Sequence, residues 1–235
     1  NISMEECAQW AHKLGKRVGV ELGIPVYHYE AAAKEKRREN LANCRQGEYE
    51  GLSKKLVNPE WKPDFGPAEF NKSVEKSGVT GISARDFLVA YNINLNTTST
   101  RRANAVAFDI REAGRIKREG GTLSGKVMKD AAGNPLKEPG LFKAVKGIGW
   151  YIEEYGVAQI SYNLTDINIS PLHEVFDKTC ERSIARGMRV TGSELIGLVP
   201  KKVLIDAGKH FLKKQERSTG INENEIIKIA IKTLG

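Results

Sequence analysis

The chain has 235 residues, 40% hydrophobic and 28% charged, so it can bury a sizeable core and is not a disordered polymer. Lys and Arg outnumber Asp and Glu by 37 to 29, and the formal net charge of +8 suits nucleic acid, an anionic small molecule or plain solubility. No apolar run approaches the roughly 18 residues of a membrane span. Three scattered cysteines, Cys7, Cys44 and Cys180, lack metal-ligand spacing, which points to a reduced, cytoplasmic setting and no metal.

The opening Asn1-Ile2-Ser3 runs straight into a helix. Ser3 and Glu6 form a capping box, and Met4, Cys7, Ala11, Leu14 and Val18 recur at helical spacing. An α/β domain more often opens on a strand, so residue 1 is expected not to be the biological start. The helix is predicted to end near Gly23, and residues 24–29 (IPVYHY) read as a short strand. Residues 31–83 are weakly periodic. They hold a charged stretch, a predicted helix over 41–56, and an irregular run rich in Pro, Gly and Asn of the kind that lines a site or covers a ligand.

From Arg85 the pattern sharpens. Residues 85–95 (RDFLVAYNINL) alternate as a connecting strand, and 97–116 predict a helix with Ala103, Val106, Ala107, Ile110 and Ala113 on one face. An insertion over 117–140 is rich in Gly, Lys and Pro, and its centre predicts a surface hairpin turning at 131–134. Strands follow at 142–152 and 156–165 around a short turn at 153–155, then a helix over 170–186 and a strand over 188–199. Two helices close the chain, one with Pro200 in its first turn and one over 223–234. Strand, helix, strand, strand, helix, strand is the split βαβ pattern of a ferredoxin-like sheet. The predicted fold class is therefore α/β (α+β) with two α/β subdomains, 1–84 and 85–235. The second is a ferredoxin-like βαββαβ sheet with helices on one face, followed by two C-terminal helices.

Two glycine-rich motifs do not carry nucleotide chemistry. Residues 120–126 (GGTLSGK) resemble a phosphate-binding loop, but Val127 stands where Ser or Thr is needed and the segment follows a helix rather than a strand. Gly147-Ile148-Gly149 lacks the third glycine of a dinucleotide fingerprint, because Ile152 stands there, and reads as a bulge or close backbone approach. His12, His28, His173 and His210 show neither metal spacing nor a partner nucleophile. His173 is the least bland of them, at a helix start directly after a polar strand.

The strongest signal lies on two strands. In 85–95 one face carries Phe87, Val89, Tyr91, Ile93 and Leu95, and the other carries Leu88, Ala90, Asn92 and Asn94. In 156–165 Ala158, Ile160, Tyr162 and Leu164 oppose Gln159, Ser161, Asn163 and Thr165. Strands are depleted in Asn, and a solvated sheet face collects Lys, Glu and Thr instead. Rows of neutral groups that both donate and accept suit a ligand with both functions, such as a pterin ring.

These strands and several segments around them resemble the glutamate formiminotransferase domain of the formiminotransferase-cyclodeaminase family. The segments are Pro25-Val26-Tyr27, RQGEYEGL at 45–52, WKPDFGP at 61–67, Ala84-Arg85 leading to NINL at 92–95, KGIGWY at 146–151, and GSE at 192–194 leading to GLVP at 197–200. The resemblance implies transfer of the formimino group from N-formimino-L-glutamate to tetrahydrofolate, a co-substrate that would lie in a cleft between two sheets, without a metal. Its folate-binding loop would be 66–78, with Gly66, Pro67, Phe70, Lys76, Ser77 and Gly78, joined by Asn92 and Asn94. Arg45, Glu48, Gln159, Ser161 and Asn163 are further candidates. The family's catalytic histidine sits in a GEHPRMG-like segment that is not found here, so it is expected upstream of Asn1, with His173 as the fallback and negligible turnover by the chain alone. The implied assembly is a homodimer in histidine degradation, without nucleic acid or membrane. The alternatives are a formyltransferase using formylglutamate and a non-catalytic folate- or anion-binding module. An RNA-binding ferredoxin-like domain would need aromatic sheet residues that the chain lacks.

Overall fold

A computed structural model of the chain describes residues 2–121 and 125–235, in two compact units, Asn1–Asp86 and Phe87–Gly235. The first unit opens with helix α1, Met4–Glu21. Its capping box is formed: Ser3 Oγ accepts from the Glu6 amide at 3.1 Å, and the Glu6 carboxylate accepts from the Ser3 amide at 2.8 Å. Strand β1, Val26–Glu30, follows as the sequence predicts.

The predicted helix over 41–56 is instead two short ones, α2 over Leu41–Arg45 and α3 over Leu52–Leu56. Gly47 at φ +89° and Glu48 at φ +46° are both left-handed, and that backbone cannot continue a helix. The irregular run is also more ordered than its composition suggests. It holds a 3₁₀ turn at Pro59–Trp61 and helix α4 over Lys72–Ser77, capped by Asn71 Oδ1, which accepts from the Ser73 and Val74 amides at 3.0 Å each. It is followed by strand β2, Thr80–Ala84, which pairs in parallel with β1 from Val26–Thr80 to Glu30–Ala84. Gly81 interrupts the apolar pattern there, which hid the strand. A buried ion pair ties these loops down. Arg38 Nη1 donates to Asp64 Oδ2 at 2.8 Å, and Nη2 donates to the Lys62 carbonyl at 2.7 Å.

The second unit is the ferredoxin-like one. Strand β3, Val89–Leu95, leads to helix α5, Thr100–Ile110, and a small pair of strands follows, β4 at Arg115–Ile116 and β5 at Lys137–Glu138. Then come β6, Val145–Ile152, β7, Val157–Leu164, helix α6, Leu172–Ile184, and β8, Val190–Ile196. Helices α7, Lys201–Lys214, and α8, Glu223–Leu234, close the chain. The sheet order is β6-β7-β3-β8 with every pair antiparallel, as the split βαβ pattern requires.

Several details depart from the sequence reading, among them the strands predicted over 142–152 and 188–199, which form only over Val145–Ile152 and Val190–Ile196. Strand β3 begins at Val89 rather than Arg85, and Phe87, assigned to the core face, is 81% exposed. Helix α5 stops at Ile110 rather than 116, because Arg111 is extended and Gly114 turns at φ +57°. Ala113 is therefore exposed. Pro200 caps α7 rather than occupying its first turn. The insertion does form its hairpin: Leu136 N donates to the Met128 carbonyl at 2.9 Å, and Asp130 Oδ1 accepts from the Ala132 and Asn134 amides at the turn. The phosphate-loop-like run at 120–126 lies partly outside the described residues.

Alternation builds the core. Val89, Tyr91, Ile93 and Leu95 of β3 and Ala158, Ile160, Tyr162 and Leu164 of β7 are all essentially inaccessible and pack with Val106, Ile110, Val175 and Phe176 of α5 and α6. Each large side chain so buried contributes roughly 1.5–3 kcal/mol. Gly149 lets β6 approach α5 closely: a Cβ there would stand 2.6 Å from the Asn104 amide nitrogen, and the Asn104 side chain bonds both the Gly149 N–H and its carbonyl. The close-approach reading of this motif holds.

Candidate functional site

The face of the second unit's sheet opposite α5 and α6 carries the amide rows. Register arranges them across four strands. Trp150, Gln159, Asn94 and Gly192 form one row, Ile148, Ser161, Asn92 and Glu194 the next, and Lys146, Asn163, Ala90 and Ile196 the third. The first two rows are hydrogen-bonded together. Trp150 Nε1 donates to Gln159 Oε1 at 3.1 Å, and Gln159 Nε2 donates to Asn94 Oδ1 at 2.7 Å and to Glu194 Oε2 at 3.1 Å. Gln159 is 1% exposed and fully used, which fixes its amide orientation through the indole donor.

Asn92 contrasts with it. The residue is 9% exposed, yet among the described residues its side-chain amide has no hydrogen-bond partner. Its amide atoms are not among the fully buried unpaired ones, so they stay accessible and are open to a ligand on this face. Ser161 is half-buried and Asn163 exposed on the same face. Thr165 leaves the pattern, its hydroxyl donating to the Ala144 carbonyl at 3.1 Å. Glu194 and Trp150 were not singled out as site residues. Only the register of β8 and β6 brings them to the amides, although both lie in segments that carry the family resemblance. Tyr155, in the β6–β7 turn, reaches the same carboxylate, which raises its phenol pKa.

His173 does not share this face. It lies on α6, which packs on the Tyr162 side of the sheet, with Thr179 Oγ1 3.2 Å from Tyr162 Oη. Its ring stacks on His210 of α7 with centroids 4.4 Å apart, and His210 Nε2 meets Asp177 Oδ2 at 2.8 Å. Burial and then the second imidazole lower the pKa of His173. Among the described residues no cluster of three or more His, Cys, Asp or Glu side chains is placed to hold a metal.

The remaining candidates belong to the first unit. Arg45, Glu48 and Gly78 line one pocket of about 430 Å³ together with Tyr27, Tyr29 and Tyr49. Arg45 Nη2 meets Glu48 Oε2 at 3.3 Å, an exposed pair. The Tyr49 hydroxyl donates to the Glu75 carbonyl at 2.6 Å and its ring meets Phe70 edge-on, so the 45–52 segment holds the 66–78 loop directly. Gly66, at φ +82°, has a structural reason for being glycine: a Cβ would stand 2.3 Å from the Ile24 carbonyl oxygen. Lys76 and Ser77 are exposed at the end of α4, and Pro67 is half-buried.

A family model described as "Formiminotransferase domain" matches residues 90–235, and one described as "Formiminotransferase domain, N-terminal subdomain" matches residues 1–85. The chain belongs to the formiminotransferase family. It is 44% identical over its whole length to a formimidoyltransferase-cyclodeaminase of Gallus gallus, of which it covers 39%. To the protein of the same name from Dictyostelium discoideum it is 39% identical, again over 39% of that protein. To a glutamate formimidoyltransferase of Thermoplasma acidophilum it is 35% identical over 97% of this chain and 65% of that protein. The chain thus spans about two fifths of the cyclodeaminase-linked relatives and just under two thirds of this formimidoyltransferase. Within the formiminotransferase model the matched region contains every amide of the polar sheet face.

Proposed function

We propose that this chain is the folate-binding portion of a glutamate formimidoyltransferase, moving the formimino group of N-formimino-L-glutamate to tetrahydrofolate. The observation that carries the reading is the sheet face on which Asn94, Gln159 and Trp150 are mutually ordered beside the unpartnered amide of Asn92. The names of the relatives support formimino rather than formyl transfer. Tetrahydrofolate supplies the nucleophilic N5, and the chain's own residues bind and orient. The amides of Asn92 and Asn94 take the donors and acceptors of the pterin ring. Gln159 holds Asn94 in register, and Ser161 and Asn163 extend the polar row. Within the first unit, taken by itself, the proposed folate contacts are the loop 66–78, with Gly66, Pro67, Phe70, Lys76, Ser77 and Gly78, bordered by Arg45 and Glu48. The surplus of basic residues attracts the carboxylates of both substrates.

The reading includes a homodimer, supported by the apolar side chains of Trp10 and Leu14 exposed along α1, and a reducing compartment, supported by three free thiols. Among the described residues no helix is long and apolar enough to cross a membrane. Calorimetric titration with 5-formyltetrahydrofolate tests the central point. Changing Asn94 to Leu is expected to weaken binding by about 1–3 kcal/mol, the cost of stranding the Gln159 amide and losing a ligand partner. Equal affinity of the two proteins would remove these strands from the site.

A further inference from the structure

We propose that Glu194 is a docking carboxylate for an N–C–N donor edge, two N–H groups carried on one carbon, on the β8 edge of the polar sheet face. The proposal rests on the folate-transferase reading above and adds a residue that neither composition nor alternation singled out.

Three observations carry it. Glu194 stands directly across from Asn92 in the β3–β8 register and on the same face as Gln159. Directly opposed residues in an antiparallel pair have Cβ atoms about 4.5–5.5 Å apart, so the carboxylate and the Asn92 amide address the same small volume. Second, Glu194 is a half-buried carboxylate, and among the described residues it forms no ion pair. Gln159 Nε2 occupies one site on Oε2, and the Tyr155 phenol, raised by this carboxylate, is its other polar neighbour. An ionised carboxylate offers about four acceptor sites across two oxygens, so Gln159 and Tyr155 leave capacity for two further N–H donors. Third, Asn92 beside it is nine-tenths buried and has no partner of its own among the described residues. Together they present an acceptor pair flanked by an amide that can donate to a neighbouring carbonyl.

A planar N–C–N group satisfies this arrangement with parallel, charge-assisted hydrogen bonds, the geometry that makes bidentate carboxylate recognition strong. The substrates of the proposed reaction offer that chemistry twice. One source is the 2-amino-4-oxopyrimidine edge of the reduced pterin, whose carbonyl would then meet the Asn92 amide. The other is the formamidinium end of N-formimino-L-glutamate, which N-formyl-L-glutamate lacks.

The test is Glu194→Gln, which keeps the size of the side chain and its bond to one neighbour but replaces half of the acceptor pair by a donor. Calorimetry would follow 5-formyltetrahydrofolate, its 2-desamino analogue, N-formimino-L-glutamate and N-formyl-L-glutamate separately. If the pterin edge docks here, the substitution weakens 5-formyltetrahydrofolate tenfold or more and the 2-desamino analogue less than twofold. If the formamidinium docks here, folate affinity is unchanged, N-formimino-L-glutamate weakens tenfold or more, and N-formyl-L-glutamate does not. Either pattern supports the docking role and names its ligand. Unchanged affinity for all four, with the parent chain binding normally, overturns this proposal and leaves the folate reading standing. A parent chain that binds none of the four overturns both. Should Glu194→Gln lower the melting temperature, Glu194→Asp keeps the charge and withdraws it by one methylene. It is expected to show the same ligand selectivity with a smaller loss, and equal affinity for every ligand again overturns the proposal.

Discussion

The two units hold polar chemistry in opposite ways. In the second, functional candidates sit on consecutive strands and are ordered by sheet register, so Trp150, Gln159, Asn94 and Glu194 form one network from three strands and β8 without any loop. In the first, the candidates lie on short helices and turns. Their placement depends on left-handed residues such as Gly47 and Gly66 and on the buried Arg38–Asp64 pair. A sheet positions side chains through a backbone already satisfied by its ladder. A loop site must be tied down by side chains, and so it is sensitive to single substitutions.

That contrast can be broken at its most vulnerable point first. Arg38→Ala removes the guanidinium bonded to the buried Asp64, both side chains being under a tenth exposed, and leaves only Lys34 Nζ, 3.9 Å away, near that carboxylate. A loss of about 3–5 kcal/mol is expected, confined to the first unit. Hydrogen exchange would show it as lost protection of Val26–Glu30 with β3 and β7 unchanged. Equal loss in both units would mean that the pair does not act locally. In the second unit the corresponding point is packing. Gly149→Val drives a Cβ into the α5 backbone at Asn104 and is expected to cost about 1–3 kcal/mol in chemical denaturation. An unchanged midpoint would show that β6 can move away freely.

Acid should affect both units through one histidine each. Burial lowers the pKa of His28, and burial with His210 lowers that of His173, from an ordinary 6.5. The native state therefore favours the neutral ring, and the unfolded chain binds more protons below about pH 6.5. Stability is complete above that pH and falls as pH drops from there through the lowered native values. His173→Phe should flatten the second unit's melting temperature between pH 7 and 5, and an unaltered slope would assign the effect elsewhere. Smallest of all, Arg45→Ala removes an exposed pair with Glu48 and should change stability by no more than about 1 kcal/mol. A larger drop would show that the 45–52 segment holds its loop through charge rather than through Tyr49.

How much was legible follows the same division. Period-two alternation in 89–95 and 157–164 and helical spacing in 223–234 are local signals, and the elements stand where those signals put them. The end of α5 and the break between α2 and α3 depend on positive φ at Gly114 and at Gly47 with Glu48. Glycine content alone does not announce this, and for Glu48 nothing does. Strand β2 escaped because its parallel partner lies some fifty residues away and Gly81 sits in its middle. Arg38 reads as one more charge in KEKRRE, and only tertiary structure sets it against Asp64 and Lys62. On the sheet face, Asn92, Asn94 and Gln159 were visible because Asn and Gln are unusual in strands. Glu194 was not, because a Glu in an edge strand is ordinary until register places it opposite Asn92.

The central claim is that the polar face of β6, β7, β3 and β8 binds reduced folate, and side-chain amide NMR reads that face directly. On titration with 5-formyltetrahydrofolate, the NH₂ resonances of Asn92, Asn94 and Gln159 should shift saturably with a single dissociation constant. Those of Asn134, in the hairpin turn, and Asn168, after β7, should stay in place. Shifts confined to Asn134, Asn168 or the first unit, with Asn92 and Asn94 unmoved at saturation, would contradict the account.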